Sequence, residues 1–387
     1  MQADTVPLIM GILILVSSLI SLRLGLSVAI IEILLGACAG NLGLIKTEEW
    51  MIYLANFGGI ILTFLAGAEI DTKLIKRKLK ESLLIGLFSF LIPFLALFGF
   101  SYLAAGWKLQ ASLIAGVALS TTSLAVVYSV LVETGLTKTE IGKLLMASTF
   151  VTDMSTALAL SVLFSKPTLY TLVFILASIA IIALAKNFSH LVFDNPLLKD
   201  KVIEPELKYI FLLLLAFVYF AKLGDGHAVL PAFLLGMYMA RYFKDRSETK
   251  MVKNRLRVVS YAFITPVFFI LGGLRVSFPL IWSAIGIFLI LFALKIAAKF
   301  VGVYFLARKY IPDGSMYLTL LMSTGLTFGT IAVVFGLSAG YLDHAQYSVL
   351  IGVVIASAVI PTLIAQKWFL PVDDEDLLEF NGGGEGD

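Results

Sequence analysis

Apolar stretches of about 20 residues recur from one end of the chain to the other, and short polar segments separate them. A run of this length is enough for an α-helix to cross the hydrocarbon core of a bilayer. The pattern therefore predicts an all-α polytopic membrane protein with about 13 transmembrane helices. The predicted spans are residues 5–22, 25–45, 51–70, 82–105, 110–132, 143–164, 168–186, 207–223, 226–243, 258–275, 279–307, 315–340 and 345–369.

The amino-acid composition supports a location in the membrane. Hydrophobic residues make up 59% of the chain and charged residues 14%, whereas soluble globular proteins carry roughly 25% charged residues. The chain therefore lacks the polar surface of a water-soluble protein. The single cysteine, Cys38, cannot form an intrachain disulfide. We expect no cofactor and no nucleic-acid partner.

Basic residues are distributed unevenly between the predicted loops. If the N-terminus lies outside, most of the 29 Lys and Arg residues fall on the inner side, led by KRKLK (76–80) and the segment 241–257. Cytoplasmic loops of membrane proteins carry this excess of positive charge. We therefore expect a cell-membrane protein in contact with lipid, with its N-terminus outside and its C-terminus in the cytoplasm.

The two halves of the chain resemble each other. The aligned segments are VAIIEILLGA (28–37) with AVLPAFLLGM (228–237), more weakly AGAEIDTKLI (66–75) with GGLRVSFPLI (272–281), and STTSLAVVYS (120–129) with TFGTIAVVFG (327–336). Apolar helices can match by chance, but three matches in the same order favour a duplication. Because one span separates two units of six, the second unit starts from the opposite face. Inverted repeats of this kind are typical of alternating-access transporters.

This duplication divides the chain into four parts. Residues 1–186 hold the first inverted repeat (spans 1–6) and the connector span 7, and residues 187–206 form a polar cytoplasmic linker. Residues 207–370 hold the second inverted repeat, spans 8–13. Residues 371–387 form an acidic, glycine-rich tail that we expect to be disordered.

Polar clusters interrupt two matching spans at mid-depth, ALSTTSL (118–124) and STGLTFGT (323–330). Ser and Thr hydroxyls compete for helix backbone groups and Gly weakens the helix, so both clusters are typical of helix breaks. A break exposes backbone groups that can coordinate an ion beside a cavity. Close packing of helices through small residues is the alternative explanation.

One carboxylate, Asp153, lies near the middle of LLMASTFVTDMSTALALSVLF (144–164). Placing it at this depth costs on the order of 3 kcal/mol, which indicates a function. Thr149 and Thr156 lie on the same helical face, and Thr152 adjoins Asp153. A desolvated carboxylate can hold a proton or exchange it for a monovalent metal cation, for which hydroxyls and carbonyls are suitable ligands. A structural aspartate paired with a basic residue is the alternative.

Two lysines, Lys295 and Lys299, lie one turn apart on one face of span 279–307. From the middle of the span neither side chain can easily reach water. We expect one or both to point into the protein and to compensate the charge of a carboxylate or a helix end. The same pattern also fits a lysine that only neutralises Asp153 and locks the bundle.

Together these features resemble the monovalent cation:proton antiporters, specifically the branch that contains the Kef- and Nap-type exchangers. The motifs that carry the resemblance are EILLGACAG (32–40), FLAGAEID (64–71), ALSTTSLAVVYSVL (118–131), STFVTDMS (148–155), FFILGGL (268–274) and AAKFVG (297–302). The resemblance implies the Na⁺/H⁺ antiporter fold with crossed broken helices. It also implies a homodimer, in which a core bundle moves against a dimerisation bundle.

Residue by residue, the resemblance makes Asp153 the ion- and proton-binding aspartate. It makes Lys299 the basic residue of the long helix near the end of the chain, with Lys295 as the alternative. It assigns the broken helix that faces the aspartate to Thr121, Thr122 and Ser123.

The chain departs from the family pattern at Thr152. Electrogenic members have a second aspartate at this place, and Kef-type and electroneutral members have an amide. This departure leaves the stoichiometry open. One titratable carboxylate favours electroneutral one-for-one exchange, whereas a lysine that releases its proton on cation binding would make the exchange two-for-one and voltage-driven.

The sequence therefore predicts a secondary transporter, not an enzyme, that exchanges Na⁺ or Li⁺, with K⁺ as a second candidate, for H⁺. Such an exchanger would serve pH homeostasis. A channel would need a continuous polar pore, and an intramembrane protease would need a second facing aspartate or an HExxH motif. A sodium-coupled solute symporter of a related broken-helix fold is the remaining alternative.

Overall fold

The computed structural model describes residues 5–24, 27–68, 79–164, 169–193, 195, 203–224, 228–244 and 247–371. Over these ranges the regular secondary structure is helical throughout, which confirms the predicted all-α fold. Several predicted features fall wholly or partly outside the described residues, including the linker 187–206 and the repeat segment 66–75. They also include the tail after Pro371, the last three residues of FLAGAEID (64–71) and the first three of KRKLK (76–80).

The first part of the chain forms eight helices in the described residues. They are α1 Thr5–Leu24, α2 Val28–Asn41, α3 Glu49–Ala68, α4 Leu79–Gly99, α5 Leu109–Ser120, α6 Leu124–Glu133, α7 Glu140–Leu163 and α8 Leu169–Phe193. A π-helical turn, Phe100–Ala104, continues α4. Helix α7 begins after Thr139, whose hydroxyl accepts a hydrogen bond from the backbone N–H of Gly142 at 3.1 Å.

The second part of the chain continues with α9 Pro205–Leu223, α10 Val229–Lys244, α11 Ser247–Val259, α12 Thr265–Leu274, α13 Phe278–Ser283, α14 Ile285–Lys299, α15 Phe305–Tyr310, α16 Ser315–Met322, α17 Thr327–Ser338 and α18 His344–Trp368. π-Helical turns join α11 to α12 at Ser260–Ile264 and α14 to α15 at Phe300–Tyr304. Helix α18 begins with a capping box between Asp343 and Gln346.

Within the described residues, nine helical segments are long and apolar enough to cross a membrane. The other predicted spans correspond to shorter or more polar helices, namely α2, the pair α5 and α6, α9, and α10. The structure thus places helix in every predicted span, and the number of crossings stays a prediction. Helix α8 runs beyond residue 187, the predicted start of the linker, because Phe193 is buried against the ring of Tyr209.

Helix α2 packs along α12, and α3 packs along α10, in the two most extensive helix pairs. Glycines allow both close approaches. A Cβ atom on Gly36 would lie 2.3 Å from the carbonyl oxygen of Ile270, and one on Gly236 would lie 2.0 Å from that of Phe64. Gly36 and Gly236 occupy the same place in the aligned LLG sequences. The two crossings are built in the same way, which supports the predicted duplication.

Helices α4 and α14 form a third close pair. Each of them continues into a π-helical turn, and the two turns, Phe100–Ala104 and Phe300–Tyr304, begin 200 residues apart. A Cβ on Gly302 would lie 2.6 Å from the carbonyl oxygen of Phe88, so the two backbones nearly touch there. This contact fixes the distance between α4 and the lysine-bearing helix α14.

The two predicted helix breaks are confirmed. Helix α5 ends at Ser120 and α6 begins at Leu124, and α16 ends at Met322 and α17 begins at Thr327. Helix α7 packs against α4, α5, α6 and α16. The breaks and the carboxylate-bearing helix α7 therefore lie in the same part of the bundle.

Candidate functional site

Asp153 lies near the middle of helix α7, and its side chain is buried, with 2% of the residue exposed. Its Oδ1 atom is buried and accepts no hydrogen bond from any residue in the described ranges. Thr149 stands one turn earlier on the same face of α7, and its hydroxyl donates to the sulfur of Met322 at 3.4 Å. Because Met322 is the last residue of α16, this face of α7 is turned toward the second helix break.

The first break is a run of three buried hydroxyl residues, Thr121, Thr122 and Ser123. The hydroxyls of Ser120 and Thr121 donate to the carbonyl oxygens three residues earlier, at 2.9 and 3.0 Å. These bonds satisfy carbonyls that the end of a helix leaves free. Thr121 then turns the chain out of the helix with an extended backbone, ψ 159°.

The two breaks are linked by hydrogen bonds across the bundle. The Thr122 hydroxyl donates to the carbonyl oxygen of Met322 at 2.8 Å, and the Ser123 N–H donates to the Thr324 hydroxyl at 3.5 Å. The C-termini of α5 and α16 therefore meet at this crossing. Because helix C-termini carry partial negative charge, the crossing attracts a cation.

Lys299 is fully buried beside the first break. Its Nζ atom donates to the Ser89 hydroxyl at 2.8 Å and to the Thr122 hydroxyl at 3.0 Å. The charge of Lys299 acts on the Asp153 carboxylate, yet across the described residues no ion pair within 4.0 Å joins the two groups. The lysine is thus held by hydroxyls near the carboxylate without pairing with it.

Lys295 is also fully buried, one turn before Lys299 on α14. Its Nζ donates to the Ser357 hydroxyl of α18 at 2.7 Å. A Cβ built on Gly325, in the second break, would lie 2.7 Å from this Nζ and 2.6 Å from the Thr121 hydroxyl oxygen. Lys295 therefore sits at the helix crossing, where the partial negative charge of the C-termini of α5 and α16 favours a cation.

Most of the predicted site residues lie around the two helix breaks. The hydroxyl of Thr152 is the exception, because it is bonded to the backbone of other residues. Thr152 donates to the carbonyl oxygen of Gly86 in α4 at 3.2 Å and to that of Ser148 at 3.1 Å. Its hydroxyl hydrogen therefore points to the α4 backbone, away from the breaks. Thr156 donates to the Thr152 carbonyl at 2.9 Å in the same manner.

Sequence reasoning missed Ser89, Ser357 and Met322. Ser89 and Ser357 hold the two lysines, and Met322 bonds to both Thr122 and Thr149. No local signal separates these serines from the other buried serines of the bundle. Their role depends on which helix faces α14, and that is a property of the tertiary fold.

The chemistry of the site is that of one carboxylate among hydroxyl and carbonyl oxygens. Over the described residues, no three His, Cys, Asp or Glu side chains come together as metal ligands. Hard oxygen donors of low total charge suit a proton or a weakly held monovalent cation. The amines of Lys295 and Lys299 are fully buried at the same site and are the basic groups that can offset the charge of the carboxylate.

Comparison with known proteins adds an independent line of evidence. A family model described as "Sodium/hydrogen exchanger, transmembrane" matches residues 10–369. The chain is 25% identical over 350 residues to the "Probable Na(+)/H(+) antiporter 3" of Methanocaldococcus jannaschii, which covers 85% of this chain and 87% of that protein. It is 28% identical over 376 residues to the "Na(+)/H(+) antiporter" of Enterococcus hirae, with 92% and 94% covered.

Two further similarities concern cation choice and fold. The "Na(+)/H(+)-K(+) antiporter GerN" of Bacillus cereus is 25% identical over 357 residues, with 88% of this chain and 89% of that protein covered. The solved structure of the sodium proton antiporter MjNhaP1 from Methanocaldococcus jannaschii superimposes with a TM-score of 0.71 at 17% identity, covering 95% of this chain and 100% of that chain. This last similarity concerns the fold alone.

Proposed function

The chain belongs to the transmembrane sodium/hydrogen exchanger family, and from this premise we propose that it exchanges Na⁺ or Li⁺ for H⁺, one for one, at Asp153. Family membership makes the protein a membrane transporter, a monovalent cation/proton antiporter, and not an enzyme. K⁺ is the second candidate cation, because the name of one relative pairs Na⁺ with K⁺.

The observation that carries this proposal is the buried carboxylate of Asp153, which leaves one oxygen without a partner in the described chain. Buried polar atoms are nearly always hydrogen-bonded, and an unpaired carboxylate inside a membrane is costlier still. A bound proton or a bound cation would remove that cost. The Thr149 hydroxyl and the backbone oxygens of the nearby breaks are the proposed further ligands of the cation.

One-for-one exchange follows from the charges at the site. Asp153 binds either one proton or one monovalent cation, so the loaded site has the same charge in both half-cycles. The balance holds if Lys295 and Lys299 keep their protons throughout. The hydroxyl oxygens of Ser357, Ser89 and Thr122 lie within hydrogen-bond distance of the two Nζ atoms, and acceptors in this position favour the charged form of an amine.

Alternating access is the proposed route across the membrane. Helix α7 carries Asp153 and packs against α4, α5 and α6 and also against α10. Helix α10 is joined to α3 through the close glycine contact at Gly236. We infer that the group with the two breaks moves as a unit against the group of α2, α3, α10 and α12, carrying the ion from one side to the other.

Proton flux in proteoliposomes that enclose a pH dye tests this function. Na⁺, Li⁺ and K⁺ are added in turn, first with the membrane potential clamped at zero and then at a set value. We expect Na⁺ and Li⁺ to drive a pH change that does not depend on the potential. A change that scales with voltage would overturn one-for-one exchange, and no response to any cation would overturn the antiporter assignment at Asp153.

The quaternary structure and the location in the cell are proposed on the same basis. We expect a homodimer in the cell membrane, with the N-terminus outside. Chemical cross-linking in native membranes, followed by denaturing electrophoresis, tests the dimer. A band at twice the monomer mass is expected, and a purely monomeric pattern at saturating cross-linker would contradict it.

A further inference from the structure

Lys299 and Asp153 are opposite charges in the same buried region, and they do not form an ion pair. The Lys299 ammonium donates instead to the Ser89 hydroxyl at 2.8 Å and to the Thr122 hydroxyl at 3.0 Å. Oδ1 of Asp153 has no hydrogen-bond donor in the described part of the chain. In a medium of low dielectric constant, an unpaired lysine and an unpaired carboxylate attract each other strongly. Something in the structure must hold them apart.

Ser89 is placed to do this. It is fully buried on α4, the helix that faces α14. The preceding residue, Phe88, forms the close backbone contact with Gly302, just after Lys299 along the chain. Because that contact leaves no space between the two backbones, it fixes the position of the Ser89 hydroxyl relative to the lysine.

Thr122 alone is a weaker anchor for the lysine. Its hydroxyl donates its one hydrogen to the carbonyl oxygen of Met322 at 2.8 Å, and it accepts from Lys299 at the same time. Ser89 supplies the second acceptor for an ammonium group that has three hydrogens to donate. Asp153 is the carboxylate whose charge acts on Lys299, and without Ser89 the lysine can turn to it.

We propose that Ser89 is a positioning residue that holds Lys299 away from Asp153 and so keeps the carboxylate open to the transported cation and proton. The inference rests on the proposed function, in which Asp153 carries the ion. The charged groups that act on Lys299 are Asp153 from α7 and Lys295 from its own helix. An ion pair between Lys299 and Asp153 competes directly with Na⁺ for the same oxygens.

Replacement of the hydroxyl tests the proposal in transport. In Ser89→Ala, Lys299 pairs with Asp153, and the Michaelis constant for Na⁺ rises about tenfold while the maximal rate changes little. Ser89→Thr keeps a hydroxyl and restores the low Michaelis constant. Ser101→Ala is the matched control, because Ser101 is buried on the helical continuation of α4 and its Oγ has no partner among the described residues. An unchanged Michaelis constant in Ser89→Ala would overturn the proposal.

A double substitution separates positioning from a general packing effect. Sodium-dependent thermal stabilisation of the purified protein gives an apparent Kd without the need for transport. In the Lys299→Gln background, Ser89→Ala should leave this Kd unchanged, because no ammonium group remains to be held. An equal loss of Na⁺ affinity with and without the lysine would contradict the proposal.

An experimental structure of Ser89→Ala distinguishes this inference from the proposed function. We expect Lys299 Nζ within 4 Å of an Asp153 carboxylate oxygen in that variant, the range of an ion pair. A lysine that stays on Thr122 alone would overturn the positioning role even if transport occurs. Absence of cation-driven proton flux in the unaltered protein would overturn the proposed function, whatever the position of the lysine.

Discussion

At the scale of single residues, Asp153 differs from the threonines around it because its Oδ1 atom accepts no hydrogen bond from any residue that the structure describes. The nearby hydroxyls of Thr121, Thr122 and Thr149 all donate to another atom of the protein. A group without a fixed partner can bind and release an ion at low cost. The hydroxyls keep the geometry of the crossing, and their oxygen lone pairs stay available to a cation.

Replacing Asp153 by Asn is therefore expected to abolish cation-driven proton flux. Asparagine keeps the size of the side chain but can neither lose a proton nor carry a negative charge. Removing a buried charge that has no partner should leave the fold intact and the melting temperature equal or higher. Proteoliposome flux and thermal unfolding are the two measurements.

Ser155→Ala is the matched control for this substitution. Ser155 lies on the same helix, and in the described part of the chain its hydroxyl bonds to the carbonyl oxygen of Val151 alone, at 2.8 Å. Flux in this variant should equal that of the unaltered protein. Exchange that persists in Asp153→Asn would show that another group carries the ion.

Gly325 lies where a side chain has no room. In Gly325→Ala, the new Cβ would lie 2.6 Å from the Thr121 hydroxyl oxygen and 2.7 Å from Lys295 Nζ, and both must shift. Because these atoms define the helix crossing, we expect proton flux to fall about tenfold or more. Gly286→Ala is the control on α14, since no atom from elsewhere in the described residues lies within 4 Å of its added Cβ. Flux of Gly325→Ala equal to that of Gly286→Ala would contradict this view of the crossing.

At the scale of helices, the sequence predicted features that arise from local interactions. The breaks at 121–123 and 323–326 were predictable because hydroxyls of Ser120, Thr121 and Thr324 bond to carbonyls within their own helix, three residues away. The buried Asp153 was predictable from its depth alone. The anchoring of Lys299 was not, because Ser89 lies 210 residues away from it in the chain. The π-helical turns also gave no signal in the apolar pattern.

The glycine contacts between α3 and α10 predict a loss of stability on substitution. In Gly236→Ala, the added Cβ would lie 2.0 Å from the Phe64 carbonyl oxygen, a backbone atom that cannot move alone. The helices must separate, and the protein should lose about 1–3 kcal/mol of stability. The measurement is thermal unfolding of the purified protein in detergent. Gly11→Ala is the control, because its added Cβ lies more than 4 Å from every atom elsewhere in the part of the chain that the structure describes. A melting temperature equal to that of the control would rule out tight packing at Gly236.

At the scale of the whole molecule, the pattern of charge and the pattern of packing support one architecture. The crossings of α2 with α12 and of α3 with α10 each join a helix of one predicted repeat to a helix of the other. Such reciprocal packing is expected of two units that face in opposite directions. If the two repeats are inverted, loops at equivalent places in the two repeats lie on opposite sides of the membrane.

Loop accessibility tests the predicted orientation at one loop of each half. The single native cysteine is first removed with Cys38→Ser. One cysteine is then introduced into this background, as Thr47→Cys or as Asp313→Cys. Both positions are exposed. The excess of Lys and Arg in the predicted inner loops places Thr47 outside and Asp313 in the cytoplasm. A membrane-impermeant maleimide should therefore label Thr47→Cys in intact cells and Asp313→Cys only after permeabilisation. The Cys38→Ser parent should stay unlabelled in both cases. The reverse pattern would invert the topology, and labelling of both variants in intact cells would mean that one crossing between these loops is wrongly assigned.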